Sequence, residues 1–342
     1  MPRASESPEQ RASVNMASGH FGAGLVRAVR DVAADVRLVE IEPQRGVQRY
    51  QTGAHLDIAV VVDGLPDIRS YSLVGESPAD GAYRIAVKDV RDGRGGSRFV
   101  RALETDHDVQ ISDPQSQFEL QYGRPEYLLI AGGIGITPMI GMAQALERHG
   151  RPFRLLYAGR TRDQMPFVDD LRELLGERLE LFVSAHGTRL DVGREIDRLD
   201  PEGEVYLCGP LRLRDAVQQA WQAQDRSAGR LQFETFASGG RFAPEEFVVR
   251  LADQQDHEVR VGRNRTLLGA LQDNGVDMMW DCLRGECGLC AVRVLEIDTQ
   301  IDHRDVFLST EQHDGNEAIV TCVSRAVGGS LVIDTGFRQP SG

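Results

Sequence analysis

Four of the five cysteines in this chain follow a spacing that is typical of metal–sulfur chemistry. Cys282, Cys287 and Cys290 form Cys-x4-Cys-x2-Cys, and Cys322 comes after 31 intervening residues. In plant-type [2Fe–2S] sites, one loop supplies three thiolates and a distant segment supplies the fourth. Zinc sites usually pair one CxxC with a second CxxC or with closely spaced histidines, and this sequence has neither pattern. The spacing therefore favours an iron–sulfur cluster over zinc.

A loop that holds four sulfurs around two irons must curl tightly. Gly285 and Gly288 lie inside it, and we expect them to supply unusual backbone angles and to let N–H groups point at sulfur. His303 is predicted to lie near the cluster without being a ligand. Six other histidines have no metal spacing and are interpreted as surface or internally satisfied residues: His55, His107, His149, His186, His257 and His313.

Length and charge limit the possible classes of protein. The chain has 342 residues, 41% of them hydrophobic, which suits two or three globular domains. Its net charge is −13, and the last hundred residues hold 17 Asp and Glu against nine Arg and no Lys. Nucleic acid is an improbable ligand for such a surface. The acidic charge is explained equally well by solubility and by a docking face for a basic protein partner. Apolar runs are too short for a membrane span, and the cysteine usage predicts the cytoplasm.

The pattern of elements changes along the chain and predicts five segments. Polar residues 1–22 indicate a disordered arm, and alternating apolar residues over 23–122 indicate an antiparallel barrel. Strand–helix alternation over 123–236 predicts an α/β domain with a doubly wound parallel sheet. A linker at 237–246 is followed by a smaller domain at 247–342, which carries the cysteines.

Two motifs in the barrel segment suit a flavin. In Arg69-x-Tyr71-Ser72-Leu73, the tyrosine could pack on the isoalloxazine ring, the serine could bond near N5 and the arginine could neutralise phosphate. The run Gly93-Arg-Gly95-Gly96-Ser97 offers N–H groups and a hydroxyl to a phosphate. Either motif alone is also compatible with core packing or a surface loop, so the prediction depends on their occurring together.

The α/β segment carries a glycine turn between a strand and a helix. Gly132-Gly133-Ile-Gly135-Ile-Thr137 follows the buried run Tyr127–Ala131, and we expect Thr137 to cap a helix over 138–148. The turn would let a pyrophosphate approach the positive end of that helix. It is therefore predicted to bind a dinucleotide.

Further along this segment, Cys208-Gly209-Pro210 ends another strand, and Cys208 is predicted to face the nicotinamide. With Ser72, it is a candidate positioning residue for hydride transfer, since no general base is needed. Arg160 or Arg162 could bind a ribose 2′-phosphate, while Asp163 would disfavour one. The choice between NADH and NADPH stays open on this reasoning.

Taken in order, these motifs resemble the phthalate dioxygenase reductases and the related vanillate O-demethylase reductases over roughly residues 24–335. Further marks of the resemblance are Ala86-Val87-Lys88, Phe233-Glu-Thr-Phe236 and Cys322-Val-Ser-Arg325. The resemblance implies an FMN-binding β-barrel, an NAD-binding domain and a β-grasp ferredoxin domain, with FAD as the alternative flavin. It also implies a preference for NADH, a Rieske-type oxygenase as partner, and a position for Phe236 near the flavin.

The predicted function is an NADH-dependent reductase that splits a hydride into single electrons and delivers them to an oxygenase. The partner is expected to dock near the acidic ferredoxin domain. A reductase that serves a cytochrome P450 is the alternative within enzymes. An iron–sulfur sensor with vestigial nucleotide sites is the alternative from another class. The organic substrate and the oligomeric state do not follow from the sequence.

Overall fold

The computed structural model describes residues 21–62, 65–90, 95–236, 242–252, 257–263 and 265–336. The chain forms two compact units. The first extends to Cys208 and includes Val217–Phe233, and the second comprises Gly209–Ala216 and the chain from Glu234 onward. Within the described ranges, no helix is long and apolar enough to cross a membrane. The predicted linker lies partly outside these ranges, at 237–241.

The first unit begins with a six-stranded antiparallel sheet in the order β4-β3-β6-β1-β2-β5. Its strands are β1 (Phe21–Ala33), β2 (Val36–Pro43), β3 (His55–Val62), β4 (Leu65–Ser72), β5 (Tyr83–Lys88) and β6 (Asp108–Ser112), and helix α1 (Gly96–Arg101) follows β5. A bridge between Leu73 and Ile85 links the end of β4 to β5 and so closes the sheet. Alternate residues of β3 are buried inside it, as expected for a barrel strand. The predicted barrel is confirmed.

The first unit continues with a five-stranded sheet in the order β11-β10-β7-β8-β9. Its strands are β7 (Tyr127–Gly132), β8 (Phe153–Gly159), β9 (Leu179–Val183), β10 (Glu204–Cys208) and β11 (Leu231–Glu234), and its helices are α2 (Ile136–Arg148), α3 (Val168–Leu175), α4 (Val192–Asp197) and α5 (Leu211–Ala223). The first residues of α5, up to Ala216, and the last residue of β11, Glu234, are counted with the second unit. Strands β10, β7, β8 and β9 are parallel to one another. Because β8 and β10 flank β7, the strand order reverses at β7, where such sheets bind their ligands. The doubly wound prediction is confirmed.

The start of helix α2 differs from the prediction. The helix begins at Ile136 after a 3-10 turn over Gly133–Gly135, and its N-cap is Gly135. The Thr137 hydroxyl donates to the Ile134 carbonyl at 3.1 Å, so it does not cap an N–H group. The predicted cap at Thr137 was wrong because this side chain, only 2% exposed, points back into the turn.

The second unit contains a mixed sheet in the order β13-β12-β18-β14-β16 and a two-stranded ribbon of β15 and β17. Its elements are β12 (Phe247–Leu251), β13 (Glu258–Val261), α6 (Leu267–Asp273), β14 (Ala291–Ile297), β15 (Ile301–Asp302), α7 (Thr310–Gly315), β16 (Ala318–Val320), β17 (Arg325–Ala326) and β18 (Ser330–Asp334). Strands β12 and β18 pair in parallel, and the core includes the buried leucines of α6. Thr266 caps α6 by accepting from Gly269 N. This arrangement agrees with the predicted β-grasp ferredoxin domain.

Candidate functional site

The four cysteines of the predicted cluster come together within the second unit. The loop between α6 and β14 carries Cys282, Cys287 and Cys290, while Cys322 approaches from the segment after β16. Cys322 is within hydrogen-bonding reach of both Cys282 and Cys290, and Cys287 is within reach of Cys282. Three of the thiols are buried, and Cys287 is half-buried. Four converging sulfurs are the donor set that a [2Fe–2S] cluster needs.

Backbone N–H groups of the loop surround one of these sulfurs. The amides of Arg284, Glu286 and Cys287 each lie 3.4 Å from Cys282 Sγ. The hydrogen bond with Cys322, together with these amides, lowers the pKa of Cys282 to about 4 despite burial. The loop is therefore built to stabilise a thiolate, which is the form that binds iron.

The loop closes through three left-handed residues. Gly285 and Gly288 have φ of 78° and 75°, as predicted, and Leu283 has φ of 53°. A Cβ at Gly288 would overlap the Phe307 ring, and one at Gly285 would lie 2.9 Å from Asp305 Cα. Leu283 was not expected to be strained, since a branched side chain rarely adopts this conformation.

Two histidines that are ten residues apart in sequence meet at one carboxylate beside the cysteine loop. Asp305 accepts from Ser324 Oγ and Leu308 N, each at 2.9 Å, and lies 3.1 Å from His313 Nε2 and 3.6 Å from His303 Nδ1. Although burial alone raises the pKa of Asp305, the nearby His303 ring and the hydrogen bonds from Leu308, His313 and Ser324 hold it far below its ordinary value.

The His303 and His313 rings stack at 4.3 Å with 21° between their planes. Face-to-face rings cannot both direct a nitrogen at one ion lying in their planes, so a metal would have to break the stack. We therefore interpret the group as a brace that holds the residues before α7 against Ser324, two positions after Cys322.

The predicted flavin arginine projects from β4 and has an unused donor. Arg69 pairs with Asp67 at 2.7 Å and donates to Ile68 O at 2.7 Å, but its second terminal nitrogen is buried without a partner in the described chain. A Cβ at Gly96 would overlap the Arg69 side chain, so the glycine loop lies directly against it. The structure thus joins the two flavin motifs. Gly93 and Arg94 lie outside the described residues.

The other residues of the strand motif line the same end of the barrel. Ser72 is 5% exposed, and its hydroxyl is buried without a hydrogen-bond partner among the described residues. Burial raises the pKa of the half-buried Tyr71 to about 12, so its ring is a neutral contact surface. Leu73 is buried in the bridge to β5. An orphan hydroxyl and an orphan guanidinium nitrogen on one strand fit a polar, phosphorylated ligand such as a flavin nucleotide.

The glycine loop and β5 complete this part of the barrel. Gly95 has φ of 89° and caps α1, which begins at Gly96, and Ser97 is partly exposed in its first turn. On β5, Ala86 and Val87 are buried, and Lys88 lies 3.3 Å from Asp35. Because these three side chains pack in the core or form an ion pair, a ligand would contact this part of β5 through backbone atoms.

The nucleotide turn lies against the barrel. Gly132 ends β7, and Gly133 has φ of 57° with nothing within 4 Å of the position that a Cβ would occupy. Ile134 of this turn packs in one apolar cluster with Ala86 of β5, and Gly135 is buried. The first unit therefore brings the predicted flavin strand and the predicted dinucleotide turn together.

The residues predicted to contact the adenosine end differ in whether other side chains already bind them. Arg162 is held by Asp169 at 2.7 Å and by the Met165 carbonyl at 3.3 Å. Arg160 is exposed directly after β8, and Asp163 is exposed in the next turn. Arg160 is thus better placed than Arg162 to reach a nucleotide, which the spacing alone could not distinguish.

The four remaining predicted site residues lie in or just after two strands of the α/β sheet. Cys208 is fully buried at the end of β10, in register with Ala131 of β7, beside the nucleotide turn. Gly209 and Pro210 follow it and lead into α5. Phe236 is 41% exposed in the second unit, so its role near a flavin stays a prediction.

Comparison with protein families assigns a description to each part of the chain. Residues 24–120 match an oxidoreductase FAD-binding domain, residues 129–219 an oxidoreductase NAD-binding domain, and residues 251–327 a 2Fe-2S iron-sulfur cluster binding domain. Together these matches cover the barrel, the α/β sheet and the cysteine-bearing unit.

Whole proteins with the same arrangement are also similar to the chain. A putative toluene-4-sulfonate monooxygenase system reductase subunit from Comamonas testosteroni is 34% identical over 90% of this chain and 97% of its own length. The solved phthalate dioxygenase reductase, described as a modular structure for electron transfer from pyridine nucleotides to [2Fe-2S], is 30% identical with a TM-score of 0.76, covering 92% of this chain and 98% of that one. An intact type IV self-sufficient cytochrome P450 monooxygenase is 30% identical with a TM-score of 0.65, covering 92% of this chain and 41% of that one.

Proposed function

Because this chain belongs to the phthalate dioxygenase reductase family of NADH-dependent flavin and [2Fe–2S] reductases, we propose that it delivers electrons to a Rieske-type oxygenase and uses FMN as its flavin. When bound, the flavin accepts a hydride and the cluster carries single electrons. The observation that carries the proposal is the convergence of four thiols in a ferredoxin unit joined to a flavin barrel and a nucleotide sheet.

The residues on the flavin side have separate roles in this proposal. The free Arg69 nitrogen and the amides of Gly95, Gly96 and Ser97 would hold the terminal phosphate, while Tyr71 would cover one face of the ring. Ser72 would hydrogen-bond near N5 and so orient the ring toward the nicotinamide. Arg69 packs directly on Gly96. One phosphate held beside them would suit FMN, which ends in one phosphate, better than FAD.

The residues on the nucleotide side place NADH. The turn Gly132–Gly135 would bind pyrophosphate, and Arg160 would reach the adenosine ribose while exposed Asp163 disfavours a 2′-phosphate. Cys208, a small and fully buried side chain, would lie under the nicotinamide end. Since hydride transfer needs no proton, these groups orient and exclude water instead of acting as acids or bases.

The partner is proposed to dock around the cysteine loop. Five large apolar side chains flank the cysteines in the second unit and are between 47% and 66% exposed: Met279, Trp280, Leu283, Leu289 and Phe307. Asp277 and Asp281, both exposed, border them. An apolar centre with an acidic rim is suited to a partner with an apolar patch edged by basic residues.

The test is to supply purified oxygenases of the Rieske type with NADH and aromatic substrates, and to measure substrate-dependent oxygen uptake. Flavin released by heating is identified in parallel by chromatography. The proposal predicts FMN and coupled uptake with at least one Rieske oxygenase, weakened by salt and by Asp281→Lys. FAD in the extract, or uptake coupled only to another class of oxygenase, would contradict it.

A cytochrome P450 is the second candidate acceptor, because the chain is similar over 92% of its length to part of a self-sufficient P450. The two are distinguished by NADH-driven reduction under carbon monoxide. A P450 acceptor would form its carbon monoxide complex at a rate close to that of coupled turnover. A Rieske acceptor would instead lose its visible absorbance in step with NADH oxidation.

A further inference from the structure

Two adjacent residues, Glu234 and Thr235, fix two side chains of the cysteine loop. The Arg284 guanidinium pairs with the Glu234 carboxylate and lies 3.5 Å from Glu286. Glu286 Oε1 accepts from both Thr235 N, at 2.7 Å, and Thr235 Oγ1, at 2.9 Å. The side chains of Arg284, Glu286 and Glu234 are only 15%, 11% and 3% exposed, and all four residues belong to the second unit.

The residues that are fixed in this way are also amide donors to a cluster sulfur. Arg284 N and Glu286 N supply two of the three N–H groups at 3.4 Å from Cys282 Sγ. Their side chains therefore determine how closely those amides approach the sulfur. Hydrogen bonds to cluster sulfurs stabilise the extra negative charge of the reduced state and so raise its reduction potential.

Stability alone does not explain this network. A buried ion pair is often no more stable than apolar residues of the same volume, because both charges lose their hydration. Here one Glu234 oxygen and the Arg284 Nε are also buried without a hydrogen-bond partner among the described residues. Incompletely satisfied buried charges are found where a function requires them.

We propose that Glu234 and Thr235 are positioning residues that hold the Arg284 and Glu286 amides against Cys282 and thereby raise the reduction potential of the [2Fe–2S] centre. This inference rests on the proposed ligation by Cys282. Among the described residues, neither side chain hydrogen-bonds a cysteine, so their effect is indirect. Thr235 allows the cleanest test, because removing its hydroxyl changes no charge.

The experiment compares the full-length holoprotein with its Thr235→Val and Thr235→Ser variants by EPR-monitored redox titration. Losing one of two bonds to Glu286 should loosen the loop and lower the equilibrium constant for cluster reduction about threefold, which is about 28 mV at 59 mV per tenfold. Thr235→Ser should keep the wild-type potential. Glu234→Asp, which retains the charge but shortens the reach to Arg284, should lower the potential in the same direction.

Thr299→Val is the matched control, since its hydroxyl bonds the Val327 carbonyl in the same unit, away from the cysteine loop. It should lower thermal stability without moving the potential. Iron and sulfide content are measured first. Wild-type protein without a [2Fe–2S] cluster would defeat the proposed function, whereas a loaded Thr235→Val variant with an unchanged potential would overturn only this inference. If the Thr235→Val variant does not bind the cluster, the Glu234→Asp variant provides the test: an unchanged potential in the loaded Glu234→Asp protein would overturn this inference.

Discussion

A methyl group added at Gly288 should prevent the cysteine loop from closing. Gly288 has φ of 75°, and its Cβ would overlap the Phe307 ring. Gly275 has the same φ of 75° but nothing within 4 Å of a Cβ position. The two positions therefore share the backbone strain and differ in the steric overlap, which makes Gly275→Ala the matched control.

The magnitudes follow from these two contributions. Placing alanine in the left-handed region costs about 1–2 kcal/mol, so Gly275→Ala should destabilise the second unit by that amount. Overpacking adds about 1–3 kcal/mol, so Gly288→Ala should cost roughly 2–5 kcal/mol in all. Because Phe307 is half exposed, Phe307→Ala should remove the overlap with little cost of its own.

The assay is urea titration of the holoproteins, followed by the visible absorbance of the cluster and by iron released to a chelator. In the Phe307→Ala background, Gly288→Ala should cost no more than Gly275→Ala does. The reasoning is refuted if the cost at Gly288 is the same with and without the Phe307 ring.

Three further predictions concern the flavin, the fifth cysteine and the carboxylate brace. Arg69→Ala should weaken FMN binding by about 10–100-fold, measured by fluorescence on dilution, because a charge-assisted bond to phosphate is lost; unchanged retention would remove Arg69 from the site. Cys208→Ala should retain full iron content and cluster absorbance, and iron loss would contradict its separation from the cluster. Asp305→Asn should lower the free energy of unfolding by about 2–3 kcal/mol at pH 7. Since the folded pKa of Asp305 is depressed, this difference should shrink as the pH falls below about 4; a constant difference in pH-dependent melts would contradict it.

The fold was largely predictable because its strands and turns have local signatures. Tyr127–Ala131 is a continuous apolar run between polar flanks, and it forms the central buried strand of the parallel sheet. The spacing of the cysteines predicted their convergence because few other arrangements use it. Gly285 and Gly288 were expected at positive φ because the loop must reverse within a few residues, and they adopt it.

What the sequence could not predict depends on side chains that meet across the fold. The engagement of Arg162 by Asp169, which leaves Arg160 free, depends on a helix seven residues away. The His303 and His313 rings stack on each other beside Asp305, although the start of α7 lies between the two histidines in the sequence. The fixing of Arg284 by Glu234 spans fifty residues. The positive φ of Leu283 differs from these cases, because a local signal for it was available in the sequence. Leu283 directly follows Cys282, the first predicted ligand, in a loop that must turn tightly.

The central claim is that one chain takes electrons from NADH and presents them singly at the cysteine loop. The most direct test is to add one equivalent of NADH to the holoprotein without oxygen and to record its low-temperature EPR spectrum. The flavin should bleach while the signal of a reduced [2Fe–2S] cluster appears, and the Cys322→Ala variant should lose that signal alone. Flavin bleaching in the wild type without any cluster signal would contradict it.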